Sequence, residues 1–134
     1  MTFFFHFVVL FLFIVLLFLP LSADFAGQLV AISFLEWCTA NPCGLVALPT
    51  GRTPEYFIKT LERYRVQWGE AGLVNELTAL GYSPSDTFPD LSKLTFVMLD
   101  EFFPISTEHR NSFCNYIRSF YIGPLGINPK VCVQ

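Results

Sequence analysis

The sequence predicts an α/β protein: a parallel sheet with flanking helices, preceded by an apolar N-terminal helix. Three observations predict it. Two short apolar runs, residues 45–48 (LVAL) and 94–99 (LTFVML), are of a length and composition that suit buried strands. Two helical patterns lie between them, so the connection is long enough for a right-handed crossover, which makes the pair parallel. Each run then stops at an abrupt polar break, Pro49-Thr50-Gly51 after the first and Asp100-Glu101 after the second.

The elements follow in order. Residues 3–19 are apolar throughout except for His6. A run of 17 residues sits at the short end of what spans a bilayer, and it also resembles the apolar region of an export signal ending near Pro20-Leu21-Ser22-Ala23. No Lys or Arg precedes it, and Leu21 occupies a position where a small residue is usual before cleavage. Residues 1–23 therefore read as a signal-like or membrane-anchor segment, and 24–134 as one domain. Residues 24–40 form a helix with Phe25, Leu29, Ile32 and the Leu35/Trp37 region at helical spacing, capped by Ser22 or Asp24. Asn41-Pro42-Cys43-Gly44 stops it. The strand 45–48 is fully apolar, as suits burial on both faces of a parallel sheet. Residues 54–65 form a helix with Phe57, Ile58, Leu61 and Tyr64 on one side, Thr53 as N-cap and Pro54 at N1. A third helix runs over 68–80 and closes at Gly81. A loop with Pro84 and Pro89 leads to the strand 94–99. A helix over about 112–121 ends at Gly123-Pro124.

Composition narrows the function. The chain has 134 residues, 53% of them hydrophobic and 14% charged, with a formal net charge of −3 and no basic run. That excludes a disordered chain and a nucleic-acid binder. Four cysteines (Cys38, Cys43, Cys114, Cys132) form no C-x-x-C pair, and there are two histidines. No metal site is expected, and the thiols read as reduced; export would permit a Cys38–Cys43 disulfide.

Chemistry concentrates at the strand ends. In a parallel sheet, ligands gather beyond the carboxyl ends of the strands. A tight strand-to-helix loop presents backbone N–H groups and the positive end of a helix dipole. Thr50 and Thr53 add hydroxyls, Gly51 permits close approach, and Arg52 carries charge. The loop has neither the Walker A nor the G-x-G-x-x-G pattern, so it is a small-anion cradle of another kind. A carboxylate leaving a buried strand is costly unless it reaches solvent or a partner. Asp100 and Glu101 point to opposite sides in extended chain, so one faces the loop while the other makes structural hydrogen bonds. A carboxylate beside a bound sugar phosphate serves as a base toward a carbon-bound proton. The same pair also suits a plain turn.

The stretches LPTGRTPEYF (48–57) and FVMLDEFFPISTEHRNSFCNYI (96–117) together resemble the glucosamine-6-phosphate deaminase/isomerase family. The likeness covers roughly residues 25–130. It implies a Rossmann-like fold and conversion of an amino-sugar phosphate to a ketose phosphate and ammonia, with no cofactor. By resemblance, Thr50, Gly51, Arg52 and Thr53 hold the substrate phosphate and Asp100 moves the proton. Glu101 and His109 support them; Arg110 stands where proline is usual and Phe113 where tyrosine is usual. The 6-phosphogluconolactonases share that fold and supply a hydrolase alternative. Their S-G-G-S/T-x-P and D-E-R patterns differ from the P-T-G-R-T-P and Asp100-Glu101-Phe102 found here.

The family's later G-x-D-G-H loop, implied to open the sugar ring, has no counterpart before Gln134. The sequence thus reads as the N-terminal half of such a domain, with low expected activity by itself. Three roles compete: an amino-sugar phosphate enzyme, an inactive phosphosugar-binding remnant, and a membrane-tethered binding domain. The expected partners are a sugar phosphate, a membrane through residues 3–19, and a second copy of the chain, with no nucleic acid. The N-terminal run points to a membrane or secretory location, the family likeness to the cytoplasm.

Overall fold

In the computed structural model the described residues are 22–127, together with the backbone of 132–133. The apolar run 3–19, and with it the expected N-terminal helix and anchor, lies outside them. Among the described residues no helix is long and apolar enough to cross a membrane.

Helix α1 (Ala23–Ala40) leads into strand β1 (Leu45–Leu48), followed by α2 (Glu55–Gln67) and α3 (Ala71–Ala79). A 3-10 turn, Leu91–Lys93, precedes β2 (Thr95–Met98). Helix α4 (Phe113–Ile117) runs on through a π turn, Arg118–Ile122, into the single turn α5 (Gly123–Leu125), and β3 is Cys132–Val133. The strands form one sheet in the order β1-β2-β3, all parallel. The register pairs Leu45 with Thr95 and Leu48 with Met98. The crossover expected between the two apolar runs is therefore present.

Helix α1 starts where Ser22 Oγ accepts the N–H of Phe25 at 3.2 Å. Its buried face is Gly27, Val30, Ala31, Phe34, Leu35 and Cys38, a three-four repeat. That face overlaps the expected stripe of Phe25, Leu29, Ile32 and the Leu35/Trp37 region only in part: Ile32 and Leu35 are fully buried, while Phe25, Leu29 and Trp37 are half-buried. The cause is small residues. A Cβ on Gly27 would stand 2.9 Å from the backbone carbon of Tyr56, so α2 packs directly on this side. Phe34 and Phe57 meet edge to face at 5.4 Å in the same contact. Helix α2 buries Phe57, Ile58, Leu61 and Tyr64, the side the sequence predicts. Arg63 ties it to α3 through both oxygens of Glu76, at 2.9 and 2.6 Å.

Three expectations need correction. The strands are not buried on both faces: Val46 and Leu48 are, while Leu45 and Ala47 are exposed. Partners Thr95 and Val97 on β2 share that outer face and are half-buried, whereas Phe96 is buried. The core thus lies on one side of β1. The third helix begins at Ala71 rather than at 68, because Gly69 adopts φ +85° and Glu70 is extended. Trp68 anchors the following loop instead: its Nε1 donates to Ser85 O at 3.0 Å, and its ring meets Phe88 at 5.2 Å. The last helix does not stop at Gly123-Pro124. It continues to Leu125 and ends where Gly126 takes φ +58°.

Two glycine substitutions separate packing from propensity. Gly27→Ala is expected to cost about 1–3 kcal/mol because a backbone atom blocks the new methyl. Gly72→Ala, on α3 with nothing within 4 Å of the new Cβ, is expected to gain up to about 1 kcal/mol. Urea midpoints of the two variants check this, and equal shifts in the same direction would refute the helix contact.

Candidate functional site

Because Leu48 pairs with Met98, residues 50 and 100 each lie two positions beyond the end of adjacent parallel strands. The two stretches singled out in the sequence therefore leave the sheet at one edge.

Gly51, in the loop 49–53, adopts φ +99°, and a Cβ placed on it would meet nothing within 4 Å, so its role is conformational. Thr50 is half-buried; Gly51, Arg52 and Thr53 are exposed. The helix entry differs from expectation. Pro54, buried and helical at φ −74° and ψ −7°, stands at the N-cap, and no side chain caps α2. Its carbonyl accepts from Ile58 N at 3.0 Å, and Arg52 O accepts from Glu55 N at 3.1 Å. A turn closed by Arg52 therefore replaces a Thr53 cap. Among the described residues the N–H groups of Thr50, Gly51, Arg52 and Thr53 meet no acceptor.

Two tyrosines that the sequence reading passed over hold this loop from behind. Tyr121 Oη donates to Pro49 O at 2.8 Å and Tyr116 Oη to Gly51 O at 2.5 Å. Tyr121 is 1% exposed, and burial pushes its hydroxyl far above the usual tyrosine range. Burial, with the Glu55 carboxylate behind it, also raises that of Tyr116. Both hydroxyls thus stay protonated donors. Five residues apart on an α-helix are about 140° apart around its axis, so sequence spacing gives no hint of a shared target. The π turn at Arg118–Ile122 rewinds the chain there.

The adjacent acids divide sharply. Glu101 accepts four hydrogen bonds: Ser112 Oγ at 2.6 Å, and the N–H groups of Phe113, Cys114 and Phe102, each at 3.0 Å. These bonds, the Ser112 hydroxyl first, hold its carboxyl at about 2. It is the anionic cap of α4, joined by Ser112 Oγ, which accepts from Asn115 N at 3.3 Å. Asp100 is exposed and has no hydrogen-bond partner among the described residues. It borders a hollow of about 510 Å³ lined by residues 98–105, much of it apolar through Leu99, Phe102 and Phe103. His109 is exposed; its Nδ1 accepts from Asn111 N at 3.1 Å, and its main chain closes a turn onto Ser112.

Cys38 and Cys43 are free thiols, and burial raises Cys38 to about 12. Among the described residues no three His, Cys, Asp or Glu side chains gather in a metal-sized group.

The class that the fold defines is a parallel α/β domain whose strand–loop–helix turn at 49–53 and acid pair at 100–101 both follow the carboxyl ends of adjacent strands. Among solved structures the chain is similar to a monomeric glucosamine-6-phosphate deaminase described as a missing link of the NagB superfamily. The TM-score is 0.60 at 19% identity, over 84% of this chain. The likeness is one of fold. The match spans 39% of that neighbour's length. No family model matches the chain, and no curated protein matches it. The lactonase-type hydrolase alternative gains no support from this neighbour.

The depressed Glu101 carboxyl gives a pH signature. Its folded-state value lies below the ordinary 4.5, so its contribution is complete above 4.5 and is lost as pH falls toward about 2. The stability gap between wild type and Glu101→Gln is expected to be constant above that window and to close within it. Denaturant titrations across the range check this; a gap independent of pH would show that the charge is not what caps α4.

Proposed function

We propose that this chain forms the phosphosugar half-site of an amino-sugar phosphate deaminase or isomerase. Residues 50–53 bind the phosphate and Asp100 is the base toward the C2 proton. The observation that carries the reading is the contrast at one sheet edge. Loop N–H groups without an acceptor among the described residues, and the exposed Arg52, leave the same end of the sheet as a carboxylate left open while its neighbour Glu101 is consumed in capping. A dianionic phosphate meets the helix N-terminus, the loop amides and one guanidinium. The fold likeness to a glucosamine-6-phosphate deaminase supports amino-sugar phosphates as the ligand class.

The division of acids supports the chemistry. Removing a proton from carbon next to a carbonyl needs a carboxylate that can approach substrate and is not spent on fixed donors. Asp100 meets both conditions; Glu101 meets neither. His109 closes its own turn by accepting Asn111 N–H at Nδ1, which leaves Nε2 to carry the proton. The chain by itself is expected to bind without turning over.

The test is a titration followed by NMR amide shifts. Glucosamine 6-phosphate is expected to shift the amides of residues 50–53, and unphosphorylated glucosamine is not. Arg52→Ala is expected to weaken binding about tenfold, in line with the loss of one charge-assisted contact. Asp100→Asn is expected to leave affinity within about threefold, because the base touches carbon rather than phosphate. An equal response to both sugars would overturn the phosphate assignment. Ammonia release that vanishes in Asp100→Asn would overturn the claim that the chain alone binds without turning over.

A further inference from the structure

We propose that Tyr116 and Tyr121 are the positioning residues of the loop 49–53: by holding its carbonyls from behind, they aim its amides outward. The inference rests on the phosphosugar reading of that loop for its purpose, and on the geometry alone for its mechanism.

A peptide unit is planar and trans, so its C=O and N–H point in opposite directions. The carbonyl of Pro49 shares a plane with the N–H of Thr50, and that of Gly51 with the N–H of Arg52. Tyr121 Oη fixes the first carbonyl and Tyr116 Oη the second. Each bond therefore turns one amide away from the tyrosines and toward the open side of the edge. Gly51, at φ +99°, would otherwise leave the Gly51–Arg52 peptide plane loose, since glycine has the widest choice of backbone angles. Among the described residues no side chain caps α2, and these two hydroxyls are the side-chain bonds to the loop.

The tyrosines are themselves held. Tyr121 is wholly buried in the core, and Tyr116 stacks on Phe120 with ring centres 4.5 Å apart. Their two rings lie 6.4 Å from one another. The element that carries them starts at the cap that Glu101 makes, one residue after Asp100. A chain of fixed contacts thus runs from the end of β2, through α4 and the π turn, back to the end of β1. Both halves of the edge are set by one device.

Removing each hydroxyl alone tests this in the full chain. Tyr116→Phe and Tyr121→Phe are expected to lower the ¹⁵N order parameters of residues 50–53 from about 0.85 toward 0.6 in the ligand-free protein. Tyr64→Phe is the control. That tyrosine is equally buried and its hydroxyl bonds to Glu76 instead, so it costs stability without loosening the loop. With glucosamine 6-phosphate as probe, each of the two loop variants is expected to raise Kd about three- to tenfold. Unchanged loop order in both variants, or the same loosening in Tyr64→Phe, overturns the proposal. A loss of affinity with loop order unchanged also overturns it. If wild type binds neither glucosamine 6-phosphate nor inorganic phosphate, yet the loop loosens only in the two variants, the positioning stands and the phosphosugar reading fails.

Discussion

The Glu101 carboxylate is the interaction on which the edge depends. A helix of five residues has too few internal hydrogen bonds to stand by itself, and most of its amides are terminal. Glu101 reaches from the end of β2 and takes the N–H groups of Phe113 and Cys114 together with the Ser112 hydroxyl. A negative charge there also suits the positive end of the helix dipole. The ten-residue excursion between Glu101 and Ser112 is closed at its base by this one side chain. Without it, neither the direction in which β2 exits nor the start of α4 would be defined.

That commitment explains why two neighbouring acids behave so differently. The extended chain sends adjacent side chains to opposite sides. Glu101 finds donors enough to satisfy a carboxylate fully; Asp100 is exposed, and both border a hollow with an apolar rim. A pair of equivalent acids would compete for the same donors and repel one another. Here the donors are exhausted by Glu101, which leaves Asp100 accessible and unrestrained. The distinction belongs to the fold rather than to residue type.

Much of this was readable in the sequence, for physical reasons that also mark where reading stops. The parallel direction of the first two strands followed from the length of the connection, and the shared edge from the pairing of 45–48 with 95–98, whereas β3 was not foreseen. The face of α2 followed from its three-four repeat. The face of α1 followed only at Ile32 and Leu35, because periodicity measures apolar size whereas packing there is decided by where Gly27 lets a backbone approach. Uniformly apolar strands looked two-sided, yet Leu45 and Ala47 remain exposed, since strand composition cannot report how many layers cover it. Thr53 satisfied every local rule for a cap, but a turn closed through Arg52 O reached the first helical amide before it. Tyr116 and Tyr121 were invisible as a pair because their common aim exists only after a π turn, and no residue pattern announces one.

The π turn itself needs a compensating interaction. Its hydrogen bonds close larger rings with poorer geometry than those of an α-helix, and isolated π segments do not persist. Here the distortion lies between a capped α4 and the left-handed stop at Gly126, where the Arg65 guanidinium lies so close that a Cβ would meet its Nη2 at 2.5 Å. Arg65 also donates to Pro124 O at 3.0 Å, which ties the far end of the segment to α2. Both ends are thus fixed while the middle is widened, and Tyr121 enters the core with its hydroxyl still satisfied by Pro49 O. An α-helical continuation would swing that ring about the axis and leave a buried hydroxyl without an acceptor, a cost of about 1–3 kcal/mol. The loop carbonyl and the π turn therefore stabilise each other: the distortion delivers the donor, and the bond to the loop holds the distortion in place.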